Sequence, residues 1–126
     1  MSNKPTILLA EDHQDTSDLL VFLLNQLDYQ VVTTTSIADT LTQAESAKFN
    51  LVVVDSLLTD GTGTELCKRI RQRDHTTPIL FYSGRVFQKD VDEALLAGAQ
   101  KYLTKPVDNS LFCQTVTELI TLSARA

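Results

Sequence analysis

Three uninterrupted apolar runs constrain this chain most: ILLA at 7–10, LVVV at 51–54 and ILFY at 79–82. Each is short, strand-like in composition and ended by a polar break, so each reads as a strand covered on both faces. Between the runs the spacing turns helical. Leu19, Leu20, Leu23, Leu24 and Leu27 predict a first helix with one broad apolar face. YQVVTT at 29–34 is a shorter and more polar strand, suited to a sheet edge. Ser36 with Asp39 makes a capping pair for a second helix that buries Ile37, Leu41 and Ala44. Thr62 and Glu65 form a T-x-x-E box that starts a third helix, with Leu66 and Ile70 inward until Asp74. A fourth helix covers Gln88 to Ala97 and stops at Gly98. After a strand ending at Thr104, Asp108 caps a last helix that turns Leu111, Phe112, Val116, Leu119 and Ile120 inward, with Val107 and Phe112 at staple spacing.

Five strands alternating with five helices imply an α/β fold with a parallel sheet and helices on both faces. With 126 residues the chain is one domain, 1–126, without a linker or repeat. No apolar run approaches the roughly 20 residues of a membrane span, and no basic region leads into a long apolar segment. The chain therefore reads as soluble, cytoplasmic and not inserted in a membrane. A net charge of -5 argues against direct nucleic-acid binding, and Lys68, Arg69, Arg71 and Arg73 read as one solvated helix face. Cys67 and Cys113 have no metal-ligand spacing and read as reduced thiols within helices. His13 reads as a helix-start residue and His75 as a loop residue.

In a parallel sheet, ligands bind beyond the carboxyl ends of the strands. There this sequence places its reactive groups. TILLAED at 6–12 ends in Glu11 and Asp12, LVVVD in Asp55, PILFYS in Ser83, and AQKYLTKP in Lys105 and Pro106. Singly, each has an ordinary explanation: a helix cap, a solvated loop acid, a turn serine, a surface lysine. Their joint occurrence at four strand ends points to a common site. Two carboxylates at about 4 Å with an effective dielectric near 20 repel by roughly 4 kcal/mol, so three together call for a cation. Oxygen ligands with room for water suit Mg²⁺. Metal, ammonium and hydroxyl together cage a phosphoryl group, and the well-placed nucleophile is a carboxylate.

That ordered set of motifs resembles the response-regulator receiver domain of two-component signalling, along nearly the whole chain. The resemblance implies a flavodoxin-like doubly wound sheet of order 2-1-3-4-5, with the first and last helices on one face. Cys67 and Cys113 then fall on opposite sides. It further implies Asp55 as phosphoacceptor, with Mg²⁺ on Glu11, Asp12, Asp55 and the backbone carbonyl of Leu57. Ser83 takes the part of the hydroxyl switch, Lys105 of the phosphate-binding lysine, Tyr102 of the aromatic switch, and the peptide before Pro106 is expected cis. Implied partners are a sensor histidine kinase or phosphotransfer protein as donor and a downstream protein that reads the fourth helix, fifth strand and fifth helix. The protein is expected to be a switch, not an enzyme, and a monomer or a phosphorylation-dependent dimer. The chain is expected to carry no output domain and to be either a stand-alone receiver or the amino-terminal part of a longer regulator.

The sequence departs from the family pattern in places. Glu11 stands where Asp is commoner, and Thr59 where proline is frequent, which predicts a less rigid loop after Asp55. Gly84 should leave the phosphoryl site accessible. Arg85, Val86 and Phe87 are unusually bulky, and Phe87 is either a partner contact or packing. Two rival readings are a docking module that is never phosphorylated and an aspartyl phosphatase-like hydrolase. The second calls for an acid two residues after the nucleophile, where this chain has Leu57.

Overall fold

The computed structural model describes residues 4–125. Its first strand, β1, spans Thr6–Ala10, followed by α1 (Gln14–Gln26), β2 (Gln30–Thr34), α2 (Ile37–Ser46) and β3 (Leu51–Val54). A two-plus-two-residue hairpin, β4 (Leu57–Leu58) and β5 (Gly61–Thr62), comes before α3 (Gly63–Arg71). The chain then runs through β6 (Ile79–Ser83), α4 (Gln88–Ala97), β7 (Lys101–Thr104) and α5 (Asn109–Arg125). The main sheet is parallel in the order β2-β1-β3-β6-β7. Leaving the hairpin aside, this is the expected 2-1-3-4-5 order. No helix among the described residues is long and apolar enough to cross a membrane.

Strand side chains alternate between two cores, which is why the inner strands are apolar at every position. Leu8, Val52, Val54 and Phe81 pack with Ile37 of α2, Leu66 and Ile70 of α3, and Ala94 of α4. Ile7, Leu9, Val53 and Leu80 pack on the other face with Leu20 and Leu24 of α1 and Phe112, Val116 and Ile120 of α5. Cys67 and Cys113 lie on opposite faces as expected. Burial pushes the Cys67 thiol up to about 11, which keeps it protonated and unreactive.

The caps read from sequence at Ser36 and Thr62 hold. Thr62 Oγ1 accepts from Glu65 N–H at 3.1 Å, and Ser36 Oγ from Asp39 N–H at 3.0 Å. Val107 packs with the core that contains Phe112, and His13 Nδ1 accepts from Thr16 N–H to start α1. Gly98 ends α4 with a φ of 118°, and a Cβ there would also run into the side chain of Arg71.

β1 ends at Ala10 and delivers Glu11 and Asp12 at its exit, as expected. Other expectations are corrected. Leu19 and Leu27 are exposed, because the buried stripe of α1 is the narrower one through Leu20 and Leu24. Leu111 is exposed as well, since it shares a helical row with exposed Glu118 and Leu122. Arg71 is not part of a solvated face: its guanidinium donates to Gly98 O at 3.1 and 2.9 Å and to Asp74 O at 3.0 Å, tying α3 to the end of α4.

The loop after Asp55 is the largest correction, because it is pinned rather than loose. Thr59 N–H and Thr59 Oγ1 both donate to Thr35 O at 3.1 Å. Asp60 caps α2 from outside that helix, accepting from Ile37 N–H at 2.6 Å and Ala38 N–H at 3.1 Å. Proline would fix one φ angle. Threonine here supplies two hydrogen bonds to a neighbouring loop instead. Below the hairpin, Gly63 lets α3 approach closely: a Cβ there would strike the Asp55 carbonyl oxygen and come within 2.7 Å of Val54 Cγ1.

Two stability outcomes follow from this packing. Gly63→Ala should cost about 1–3 kcal/mol in urea denaturation, as overpacking against backbone cannot be relieved by a rotamer change. The two backbone donors hold the Asp60 carboxyl below its ordinary pKa. A depressed folded value contributes stability above the unfolded pKa and loses it as pH falls through the folded one. Asp60→Ala should therefore lower Tm near neutrality, with the gap to wild type closing as pH drops below about 4. A gap unchanged by acid would contradict the charged cap.

Candidate functional site

The parallel ladder does not stop where the strands do. Glu11 N–H donates to Thr34 O at 3.0 Å, Asp55 N–H to Ala10 O at 3.0 Å, and Lys105 N–H to Ser83 O at 2.7 Å. Each hydrogen bond extends a strand pair by one residue. The backbones of the acid, the nucleophile candidate and the lysine are thereby fixed at the exits of β1, β3 and β7.

Their side chains meet. One carboxylate oxygen from each of Glu11, Asp12 and Asp55 lies within 4.8 Å of the others. Lys105 Nζ joins them, 2.9 Å from Glu11 Oε1 and 3.7 Å from Asp55 Oδ2. The ammonium also stands 5.3 Å from the centroid of the Tyr82 ring, which itself packs edge-on against Phe112. The lysine is thus aimed by the α5 core beneath it. The Lys105–Pro106 peptide is cis.

Glu11 is only 3% exposed, and its other oxygen, Oε2, accepts from His13 N–H at 3.2 Å. Asp55 Oδ1 accepts from Ser56 N–H at 2.8 Å. Burial first, then the closeness and charge of Glu11, push the Asp55 carboxyl up to about 6, against the opposing pull of Lys105. One ammonium does not offset three crowded acids. The donors here are all carboxylate oxygens, the set that suits a hard divalent cation such as Mg²⁺.

Ser83 is fully buried at the end of β6, and its hydroxyl donates to Ser56 Oγ at 2.6 Å while accepting from Arg85 N–H at 3.1 Å. Tyr102 stacks on Phe81 with ring centroids 5.6 Å apart and donates its hydroxyl to Arg85 O at 2.9 Å. A Cβ on Gly84 would meet nothing within 4 Å, so the space beside the residue after Ser83 is open. Leu57 lies in β4, directly after the Asp55–Ser56 turn. Phe87 is 70% exposed, which removes packing as the reason for it.

Two groups escaped the sequence reading. Ser56 gave no signal because a lone serine between strand and hairpin has no periodicity to break. Asp60 did carry one: Asp60-Gly61 is a tight-turn dipeptide between apolar and helical segments.

Comparison with known proteins agrees with this geometry. A family model described as the response regulator receiver domain matches residues 7–117. The nisin biosynthesis regulatory protein NisR of Lactococcus lactis subsp. lactis is 35% identical over 100 residues, covering 79% of this chain and 43% of that protein. The alkaline phosphatase synthesis transcriptional regulatory protein PhoP of Bacillus subtilis is 34% identical over 100 residues, covering 79% and 42%. The chain spans less than half the length of these two relatives. Among solved structures, a response regulator receiver domain protein (CheY-like) from Methanospirillum hungatei JF-1 superposes with a TM-score of 0.92 at 24% identity, over 98% of each chain, which is a likeness of fold. Matched by the family model from the first strand into the last helix, the chain belongs to the response regulator receiver domain family.

Proposed function

We propose that this chain takes a phosphoryl group on Asp55 and signals its presence through a change of surface. The observation that carries the reading is the placement of Lys105 Nζ, 3.7 Å from the Asp55 carboxylate and 2.9 Å from Glu11. The donor is a histidine kinase, a phosphotransfer protein or a small acyl phosphate. An Asp55 carboxylate oxygen forms the new bond to phosphorus, and the bond from phosphorus to the donor's imidazole nitrogen or carboxylate oxygen breaks. Lys105 meets the charge of the transferred group. Glu11, Asp12, Asp55 and the backbone carbonyl of Leu57 would hold Mg²⁺, which neutralises phosphoryl oxygens when bound.

Ser83 and Tyr102 form the readout. A phosphoryl group at Asp55 offers new acceptor oxygens that draw the Ser83 hydroxyl. Tyr102, now tied to the Arg85 carbonyl, then turns inward, and α4, β7 and α5 present a different face to a downstream protein. Leu57 brings no proton to the position a phosphohydrolase would use, which favours a switch over a turnover enzyme. The whole reads as a monomer that gains or loses partners, a second copy included, with its phosphorylation state.

Incubation with acetyl phosphate and Mg²⁺ tests this: intact-mass analysis should show a gain of one phosphoryl group, absent in Asp55→Asn. No gain from any donor, or the same gain in the variant, overturns the reading. Lys105→Ala should slow the gain by about tenfold or more and yet bind Mg²⁺ more tightly in calorimetry, since the ammonium competes with a cation for Glu11. Unchanged Mg²⁺ affinity would contradict that competition.

A further inference from the structure

Ser83 has a single hydroxyl hydrogen, and in this structure it is spent on Ser56 Oγ at 2.6 Å. The donor side of the bond is shielded from solvent and the acceptor side only partly so: Ser83 is 0% exposed, and Ser56 is half-buried. It ends a continuous chain of donors that begins on the last strand. Tyr102 OH donates to Arg85 O, Arg85 N–H donates to Ser83 Oγ, and Ser83 Oγ donates to Ser56 Oγ. Ser56 follows Asp55 directly, and its backbone N–H already holds Asp55 Oδ1 at 2.8 Å.

A hydrogen committed to Ser56 is not available to a phosphoryl oxygen on Asp55. We propose that Ser56 is a positioning residue that restrains the switch, holding Ser83 in its resting place by accepting its only hydrogen. This rests on Asp55 being the phosphoacceptor. Occupation of the site then exchanges one hydrogen bond for another: Ser83 leaves Ser56 Oγ and donates to the phosphoryl group. Ser56 Oγ, half-buried, keeps access to water. An apolar side chain at position 56 would offer no competing acceptor, and the resting state would lose its restraint.

The probe is beryllofluoride, a tetrahedral mimic of a phosphoryl group, added with Mg²⁺ to the full chain and followed by ¹⁹F NMR. Ser56→Ala should bind it about three- to tenfold more tightly than wild type, the loss of one net hydrogen bond from the resting state. Damage to the fold does not produce such a gain. Ser56→Thr keeps the hydroxyl and should restore wild-type affinity, and in a Ser83→Ala background the Ser56→Ala change should have no effect. Equal or weaker binding by Ser56→Ala, while wild type binds, overturns the restraint but leaves Asp55 as the phosphoacceptor. No binding by wild type overturns the Asp55 reading and this proposal with it.

Discussion

The backbone hydrogen bonds that carry the parallel ladder one residue past the strand ends are what the site depends on. Without Asp55 N–H on Ala10 O and Lys105 N–H on Ser83 O, the acid and the ammonium would sit on loops free to separate. The sheet supplies the acceptors, and the two cores hold the sheet. Strands covered on both faces have no freedom to slip, because a one-residue slip would carry each side chain to the wrong face. Site geometry is therefore inherited from core packing. Gly63 shows how close the connection is, for α3 reaches the Asp55 carbonyl without an intervening side chain.

Charge is arranged on this frame so that the resting site is under-neutralised. Three carboxylates converge, and Lys105 answers mainly Glu11, the closer of its two acidic neighbours. Burial and Glu11 together raise the Asp55 carboxyl to about 6, so this acid is held in an environment that favours added positive charge. The extra methylene of Glu11 has a visible use: one oxygen reaches Lys105 while the other takes His13 N–H. The hydrogen bonds from Tyr102 to Ser56 lie beside this cluster and use Arg85 only through its backbone, so none of them is an ion pair.

Much of this was legible in the sequence. Strand-like segments that stop at a polar or charged residue mark strand exits, and Glu11, Asp55, Ser83 and Lys105 were placed at the exits that way. Caps at Ser36, Thr62 and Gly98 are local chemistry, which is why they read correctly. What could not be read depends on residues brought together from far apart. Arg71 looks like any member of a basic helix face until Gly98, 27 positions on, is placed beside it. Thr59 looks like the loss of a proline until Thr35 is placed opposite. The β4–β5 hairpin is too short for periodicity, and Ser56 acquires meaning only from the Ser83 hydroxyl that points at it. Leu111 failed for a different reason: one helical position decides between the inner row and the rim.

Borohydride trapping asks the chemical question at the level of a single atom. The phosphorylated chain is reduced and digested, and the peptides are sequenced by mass. An acyl phosphate at the end of β3 is converted to homoserine, so homoserine should appear at position 55 and at no other acid of the cluster. Homoserine at Asp12, or the one-carbon-longer 2-amino-5-hydroxypentanoic acid at Glu11, would contradict a nucleophile at Asp55. A phosphate that survives reduction on Ser56 or Ser83 would place the modification on a hydroxyl and contradict the carboxylate chemistry on which the site is built.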